Sequence, residues 1–402
     1  MIEFWKIRKE SSNSYIAHSQ KKNNYYFLNF TGYLIITLFH EGKTGEEIAI
    51  YLSNKYNLTN EVAYNYVKKF INDFRSSSYK AFPNELNTPL RVGWNITEAC
   101  NLRCKHCYRS CKKALTNELS LDDAIQLCNK FIKWKVFEVE LTGGEPLVHP
   151  DFFNIAKTLL EAGMTIDIFT NGLLLNEKKI ESLLINKKGY MRFQVSLDGN
   201  KEDHEYLRGK NTFNPVINSI KTLKSYGIHT TVNHVLTRRS IKHLDSFIDI
   251  VRHLGVPFTI GMVLPMGRAR KNMIVSVDSF KRAISDLFQN AKEKGFVVAG
   301  FDSSEKDIGT SVKFVVDNSG ESYAIKDEWT CSATSTKIVV DSDGTVRICP
   351  FVEGNILGNV TKDSINKIWH NPKRKIFKKD YSKHDGHLCK PIQEKLSTTL
   401  SS

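Results

Sequence analysis

Apolar runs of strand length alternate with helix-like segments through the central third of the chain. Six β-prone runs occur at residues 92–96, 136–141, 165–169, 192–197, 230–235 and 257–263. This alternation predicts parallel strands joined by right-handed crossovers, with functional groups gathered at the carboxyl ends of the strands. The pattern therefore predicts an α/β fold whose centre, residues 91–295, is an open partial (β/α)6 TIM barrel.

A different pattern occupies residues 1–80. Three short strand-like runs at 4–7, 14–18 and 24–29 precede helical patterns at 31–39, 44–52 and 60–74. Thr44 and Glu47 have the spacing of a capping box. A short sheet with three helices is the winged-helix pattern, for which DNA binding is the ordinary interpretation. A serine-rich stretch then indicates a linker, which we place at residues 81–90.

The third region, residues 296–402, contains Cys331, Cys349 and Cys389. A strand-like run at 337–340, an Asp343-Gly344 turn and a return strand ending at Cys349 predict a β-hairpin. The hairpin brings Cys331 and Cys349 near opposite ends of one short element, where both can face a single cluster. For Cys389 the alternative is a disordered, lysine-rich tail.

The spacing C-x3-C-x2-C joins Cys100, Cys104 and Cys107. It brings three thiolates within reach of one iron–sulfur cube and leaves one iron open. Structural zinc is the minority interpretation because such sites close with four ligands, and eight cysteines in 402 residues are too few for a disulfide framework. Cys111 is a possible fourth ligand that we treat as a bystander, and Cys128 fits a helical core position.

Gly143, Gly144 and Glu145 follow the second β-prone run. Paired glycines let the backbone approach a ligand closely, and the carboxylate can accept hydrogen bonds from a cationic amine. Alone, Gly-Gly-Glu-Pro is only a turn. The glycine motif and the three cysteines together resemble the radical S-adenosylmethionine (radical SAM) superfamily.

The resemblance implies a 4Fe–4S cluster on Cys100, Cys104 and Cys107, whose open iron chelates the methionyl group of S-adenosylmethionine. It also implies that His106 lies near the adenine and that the Gly143–Glu145 motif meets the methionyl amine. The loops after the later strands add candidates for the ribose and carboxylate, although alone they are turn chemistry and solvated charge. These further cofactor-binding candidates are Thr170, Asn171, Ser196, Asp198 and Arg208.

Composition narrows the functional classes. The net charge is +14, but the 57 Lys and Arg residues are spread along the chain, so charge does not choose between solubility, an acidic peptide and nucleic acid. No apolar stretch approaches membrane-spanning length, and the first residues lack a secretory signal. We therefore expect a cytoplasmic protein with no membrane partner.

The N-terminal region resembles the PqqD family of small peptide-binding domains, through Tyr26 to Gly32, Gly42 to Thr44 and Glu47-Ile48. The resemblance implies that a leader peptide adds a strand beside residues 24–29 and rests against residues 62–74. Lys68 and Lys69 would suit an acidic leader. We favour this interpretation over DNA binding and expect no nucleic-acid partner.

Beyond the hairpin, Leu357 to Val360 and Ser364 to Trp369 resemble radical enzymes with a SPASM or twitch extension. A full SPASM domain has seven cysteines and two clusters. Here only Cys331, Cys349 and Cys389 are available, so we expect at most one auxiliary iron–sulfur cluster. His384 or His387 could complete its shell, as imidazole does in Rieske centres.

Together the three regions resemble maturases of ribosomally made peptides, and among these they most resemble the thioether-forming sactisynthases. The resemblance implies a precursor peptide as substrate and a flavodoxin- or ferredoxin-type electron donor. Carbon–carbon or other crosslinks, or epimerisation of residues, remain alternatives. A DNA-binding regulator with an iron–sulfur redox sensor is the alternative of another class, but it explains neither the glycine motif nor the six barrel units.

Overall fold

The computed structural model describes residues 5–20, 24–76, 86–291, 296–299, 311–316, 332–352, 354–381 and 399. The chain divides into two compact units, Met1–Asn87 and Thr88–Ser402. Cys331, Cys389, His384 and His387 lie outside the described residues, as does nearly all of the predicted linker. Among the described residues, no helix is both long and apolar enough to cross a membrane.

The first unit is an antiparallel sheet followed by three helices, as the sequence predicts. Its strands lie in the sheet in the order β1, β2, β3. The elements are β1 Trp5–Ser11, β2 Ser14–Ser19, β3 Asn24–Leu28, α1 Phe30–His40, α2 Gly45–Tyr56 and α3 Asn60–Ser76.

Capping and burial explain why α2 forms where it does. The predicted capping box is confirmed, since Thr44 Oγ1 accepts from the Glu47 backbone N at 3.2 Å and the Glu47 carboxylate accepts from the Thr44 N at 2.7 Å. These bonds satisfy donors that the first helical turn leaves open. Ile48 and Leu52 then pack with Val67 of α3 in a buried apolar cluster.

The second unit is built around one sheet, and the six predicted runs form its parallel centre in the order β9, β8, β7, β6, β5, β4. The strands are β4 Arg91–Thr97, β5 Glu138–Gly143, β6 Thr165–Thr170, β7 Tyr190–Ser196, β8 His229–Leu236 and β9 Phe258–Met262. The accompanying helices are α4 Leu121–Lys133, α5 Phe152–Glu161, α6 Glu177–Leu184, α7 Lys201–Arg208, α8 Phe213–Ser225, α9 Leu244–Leu254 and α10 Val277–Ala291. The expected partial barrel is confirmed.

The sheet continues past both edges of this centre. The added elements are β10 Phe296–Ala299, β11 Ser311–Val316, α11 Ser332–Ser335, β12 Lys337–Val340, β13 Thr345–Arg347, β14 Ile356–Asn359, α12 Ile365–Trp369 and α13 Pro372–Tyr381. β11 pairs antiparallel with β9, and β12 pairs parallel with β4. Strand edges carry backbone groups that need partners, and these additions supply them. The predicted hairpin is confirmed as β12 and β13, but it extends the barrel sheet, and a separate domain from residue 296 stays a prediction.

The two faces of the sheet differ in chemistry. On one face Trp94 of β4 packs edge-on against Phe131 of α4, so this face carries the helices. On the other face Arg192 of β7 donates to Asp167 of β6 at 2.7 Å and to Glu138 of β5 at 2.6 Å. Successive side chains of a strand point to opposite faces. The inner face of the partial barrel is therefore polar and charged.

Candidate active site

The predicted cluster ligands lie in the loop that follows β4. This cysteine loop, residues 98–112, carries Cys100, Cys104 and Cys107, of which Cys104 is buried and the other two half-buried. Arg268, after β9, donates to the carbonyl oxygens of Cys104 at 2.8 Å and Cys111 at 3.1 Å. The loop is thus fastened at the carboxyl edge of the sheet, where barrels gather functional groups.

The three thiols influence one another electrostatically. Burial raises the pKa of Cys100 to about 11, and the charges of Cys104 and Cys107 add to the effect. Burial also raises the pKa of Cys104, although Arg208 opposes it. The neighbouring Cys111 side chain lowers the pKa of Cys107 to about 5. Cys100, Cys104 and Cys107 are therefore close enough for their charges to interact.

The donor set consists of three cysteine thiols, the ligands that iron–sulfur clusters take. In the part of the chain that the structure describes, no three His, Cys, Asp or Glu side chains converge as one metal ion requires. The corners of a cube hold thiolates farther apart than a tetrahedral zinc ion does. The zinc alternative therefore gains no support. Cys111, whose thiol donates to Glu98 at 3.1 Å, is engaged within the loop.

The paired glycines meet protein backbone. A Cβ on Gly143 would lie 2.3 Å from the Thr97 carbonyl oxygen, and one on Gly144 would lie 2.1 Å from the Ala99 carbonyl oxygen. The Gly144 N–H also donates to the Thr97 oxygen at 2.8 Å. Glycine is required here because the end of β5 touches the start of the cysteine loop. This packing requirement is additional to the close approach to a ligand that the sequence predicts.

Glu145 joins the ends of two strands. Its buried carboxylate accepts from Thr170 Oγ1 at 2.7 Å, the Asn171 N at 2.7 Å and the Leu147 N at 3.2 Å. Burial raises the pKa of Glu145 to about 7, and these bonds oppose the rise. The Asn171 side-chain amide donates to Asn101 in the cysteine loop at 2.7 Å. Three predicted ligand positions are therefore brought together beside the cysteines.

Asp198 is enclosed by protein groups. Its oxygens accept from Arg208 Nε at 2.6 Å and the Val235 N at 2.9 Å, and His106 Nε2 lies 3.4 Å away. Burial by itself would raise the pKa of Asp198, but Arg208 and then His106 outweigh it, so the pKa lies below its usual range. Arg208 Nη1 also lies 3.8 Å from Cys104 Sγ. The predicted residues His106, Asp198 and Arg208 thus form one connected group against the cysteine loop.

Three histidines surround this carboxylate in their neutral form. Burial lowers the pKa of His106 and His234 to about 4 and that of His204 to about 3. Arg208 is therefore the cation that balances Asp198. Ser196 is half-buried at the end of β7, on the same edge of the sheet. The ligand roles of all these residues stay predictions.

The hairpin meets the cysteine loop through residues that the sequence did not single out. Arg109 lies 3.3 Å from Asp341 at the end of β12, and the Tyr108 ring lies 5.2 Å from the Phe351 ring. Cys349, two residues before Phe351, is buried. The side of the loop that holds Cys107 is therefore close to the side of the hairpin that holds Cys349. Single-sequence patterns carry no signal for such a contact between distant segments.

Family models match two parts of the chain. Residues 94–251 match the model of the radical SAM superfamily. Residues 331–391 match the SPASM model, described as an iron-sulfur cluster-binding domain. The first match starts in β4 and ends within α9, so it covers the cysteine loop, Glu145 and Arg208.

Several curated proteins are similar to the chain. The mycofactocin maturase MftC of Mycobacterium tuberculosis is 27% identical over 72% of this chain and 72% of its own length. An AdoMet-dependent heme synthase of Methanosarcina barkeri is 26% identical over 73% of this chain and 85% of its own length. The antilisterial bacteriocin subtilosin biosynthesis protein AlbA of Bacillus subtilis is 27% identical over 72% of this chain and 61% of its own length.

A solved structure has the same fold. The crystal structure of Streptococcus suis SuiB bound to precursor peptide SuiA covers 97% of this chain and 94% of its own, with a TM-score of 0.65 and 15% sequence identity. The relatives include peptide maturases, and they vary in function. The chain therefore carries a radical SAM domain, which binds a 4Fe–4S cluster and S-adenosylmethionine, and a C-terminal SPASM domain, which binds auxiliary iron–sulfur clusters.

Proposed function

We propose that this enzyme is a maturase that forms an intramolecular thioether in a ribosomally made precursor peptide, between a cysteine sulfur and a carbon of the same peptide. The observation that carries the proposal is the meeting of the cysteine loop, Glu145 and Arg208 at one edge of the sheet. The similarity to AlbA and the fold of SuiB support a peptide as substrate.

The chemistry divides between the cofactors and the protein. When bound, the cluster and S-adenosylmethionine supply a 5'-deoxyadenosyl radical that removes a hydrogen atom from the peptide. The protein holds the cluster on Cys100, Cys104 and Cys107, orients the target hydrogen and keeps water away. In this proposal the residues around S-adenosylmethionine are His106, Gly143, Gly144, Glu145, Thr170, Asn171, Ser196, Asp198 and Arg208.

An auxiliary cluster on Cys331, Cys349 and Cys389 belongs to the same proposal. The support is the burial of Cys349 and the contact between the hairpin and the cysteine loop. A cluster held there by three cysteines would leave one iron without a protein ligand. It would offer a site for the peptide thiolate and an acceptor for the electron released when the carbon radical and the thiolate join.

We further propose that the first unit binds the leader of the precursor. Of the thirteen exposed large apolar side chains among the described residues, seven lie between Ile50 and Tyr66, and such a concentration marks a binding surface. Val62 and Tyr66 of α3 share a helical side with Phe70, which packs against a buried cluster that includes residues of the sheet. The leader then lies between this side of α3 and β3, the last strand in the order of the sheet.

The same surface argues against the DNA-binding alternative. Phosphate contacts need clustered Lys and Arg. Over residues 60–72 of α3, the two exposed cations Lys68 and Lys69 are partly offset by the exposed Glu61. The helix also exposes apolar side chains, so its chemistry suits an amphipathic peptide.

Mass spectrometry tests the proposed reaction. The reconstituted enzyme is incubated under argon with S-adenosylmethionine, dithionite and the precursor peptide encoded beside its gene. A thioether removes a pair of hydrogen atoms from the peptide and makes one cysteine resistant to alkylation. A lighter peptide whose cysteines all alkylate would indicate a carbon–carbon crosslink, and an unchanged mass with altered chirality would indicate epimerisation.

A matched pair of variants tests leader binding. Tyr66→Asp places a charge on the proposed leader side of α3, whereas Tyr64→Asp places it on the far side of the same helix, and both side chains are exposed. Burying an unpaired charge costs binding energy. We expect Tyr66→Asp to weaken binding of the leader at least about tenfold, a loss of about 1.4 kcal/mol, and Tyr64→Asp to leave it within about twofold. Equal affinities for the two variants would contradict the assignment.

A further inference from the structure

A cationic patch lies on the surface beside the buried Cys104. It consists of Lys105, Tyr206 and Arg239, and we call it the Lys105 patch. Lys105 Nζ lies 3.4 Å from the centre of the Tyr206 ring, and the guanidinium carbon of Arg239 lies 4.9 Å from it. Tyr206 is 39% exposed, and the Arg239 side chain is 45% exposed. Two cations thus flank an aromatic ring that faces solvent.

The charge around the patch is positive. The segments 103–105, 201–210 and 237–243 expose seven Lys and Arg residues and contain three carboxylates. Of these carboxylates, Asp203 is buried and accepts from Arg239 Nε at 2.6 Å, and Glu202 lies 3.8 Å from Arg239 Nη2. Asp203 and Glu202 therefore offset Arg239, and with Glu205 as the third carboxylate the segments keep an excess of exposed cations, so the surface attracts an acidic partner.

The patch is also the surface next to a cluster ligand. Lys105 follows Cys104 in the chain, and its backbone N donates to the Leu207 carbonyl oxygen at 2.9 Å. On the other side of Leu207, Arg208 Nη1 lies 3.8 Å from Cys104 Sγ. A partner that contacts Tyr206 would therefore lie close to the buried sulfur, because Lys105 is next to Cys104 in the chain and Leu207 alone separates Tyr206 from Arg208.

We infer that the Lys105 patch is the docking surface of an acidic one-electron carrier protein, which reduces the cluster held by Cys100, Cys104 and Cys107. The inference rests on the radical SAM activity, because that activity consumes one electron for each cleavage of S-adenosylmethionine. The carrier loses one electron and the cluster gains it. Electron-transfer partners meet over small, polar interfaces, and charge complementarity sets their rate of association, which is what a compact cationic patch provides.

The experiment measures how fast a reduced carrier delivers its electron. A flavodoxin of strongly negative charge, in its hydroquinone form, is mixed with the reconstituted holoenzyme in an anaerobic stopped-flow instrument. The variants are Lys105→Glu and Arg239→Gln in the patch, and Lys178→Glu at an exposed position of α6 as the matched control. Dithionite, which needs no docking surface, serves as the second reductant.

We expect Lys105→Glu to lower the second-order rate with flavodoxin about five- to tenfold at low salt, with a smaller loss for Arg239→Gln. Lys178→Glu should stay within about twofold of the unaltered enzyme. Because salt screens exposed charges, the difference should vanish near about 0.5 M NaCl. The rate with dithionite should be the same for all four proteins.

Three results would overturn the inference. One is an equal flavodoxin rate for Lys105→Glu and Lys178→Glu at low salt. Another is a loss in Lys105→Glu that dithionite shows equally, since it would mean damage to the cysteine loop. The third is a flavodoxin rate of the unaltered enzyme that does not fall as salt is added. Absence of radical SAM activity would be a distinguishable outcome, because none of the four proteins would then release 5'-deoxyadenosine with either reductant.

Discussion

Replacing Asp198 by asparagine should destabilise the second unit far more than the same change at a comparable aspartate. Asp198 is fully buried, and its partner Arg208 has a side chain that is only 9% exposed. Asparagine keeps the shape and can still accept from the Val235 N–H. The change therefore removes one thing, the negative charge that balances the Arg208 guanidinium.

The magnitude follows from the burial of the Arg208 guanidinium, which the change leaves without its carboxylate. His106, His204 and His234 are neutral at pH 7 because burial lowers the pKa of each. They therefore carry no positive charge whose loss could compensate for the missing carboxylate. Breaking a buried ion pair from one side costs about 3–5 kcal/mol. Asp203 offers the control, because it is equally buried but pairs with Arg239, whose side chain is 45% exposed and can return to water. Asp203→Asn should therefore cost only about 1–2 kcal/mol.

The assay is urea unfolding of the cluster-free protein at pH 7, followed by tryptophan fluorescence, because Trp94 is buried in the same sheet. A second readout is binding of S-adenosylmethionine to the reconstituted variant, which should weaken because Arg208 is no longer held against Cys104. If Asp198→Asn proved no less stable than Asp203→Asn, the reasoning that the Asp198 and Arg208 pair is closed to solvent would be refuted.

Three further predictions follow from single contacts. Gly144→Ala places a Cβ 2.1 Å from the Ala99 oxygen, so we expect a cost above about 2 kcal/mol and a clear drop in iron bound per chain after reconstitution; normal iron content would contradict this. Burial raises the pKa of Glu145 from 4.5 to about 7, so the folded protein retains a proton that the unfolded chain loses between these values, and its stability should fall as pH rises through that window. Glu145→Gln should flatten this fall in urea titrations at about pH 5 and pH 7, and an unchanged slope would contradict the assignment. Thr44→Ala removes the capping box and should cost the first unit about 1 kcal/mol while leaving cleavage of S-adenosylmethionine intact, and loss of that cleavage would contradict the division of roles.

The strands and helices could be predicted because their causes are local. Each of the six barrel strands is a run of alternating or continuous apolar residues, and the Thr44 capping box needs only two residues at a fixed spacing. The hairpin was predictable for the same reason, since Asp343-Gly344 marks its turn. The pairing of β12 with β4 was not, because it joins segments about 250 residues apart that share no sequence pattern.

The sequence was enough to predict which residues belong to the candidate site, but not all of the contacts between them. The cysteines, Glu145 and Arg208 could be found from motif spacing, and the structure brings them to one edge of the sheet. The reason why glycine is needed at Gly143 and Gly144 could not be predicted, because it depends on where the Thr97 and Ala99 carbonyls lie. The bond from Arg268 to the Cys104 carbonyl could not be predicted either, since it forms only when β9 and β4 are folded around the same edge.

The most direct test of the account is the release of 5'-deoxyadenosine by the reconstituted enzyme, measured under argon with S-adenosylmethionine, dithionite and the precursor peptide. The account predicts 5'-deoxyadenosine together with a crosslinked peptide from the unaltered enzyme, and neither from Cys104→Ala. An intact nucleotide and an unmodified peptide, from protein that carries its full complement of iron and sulfide, would contradict it.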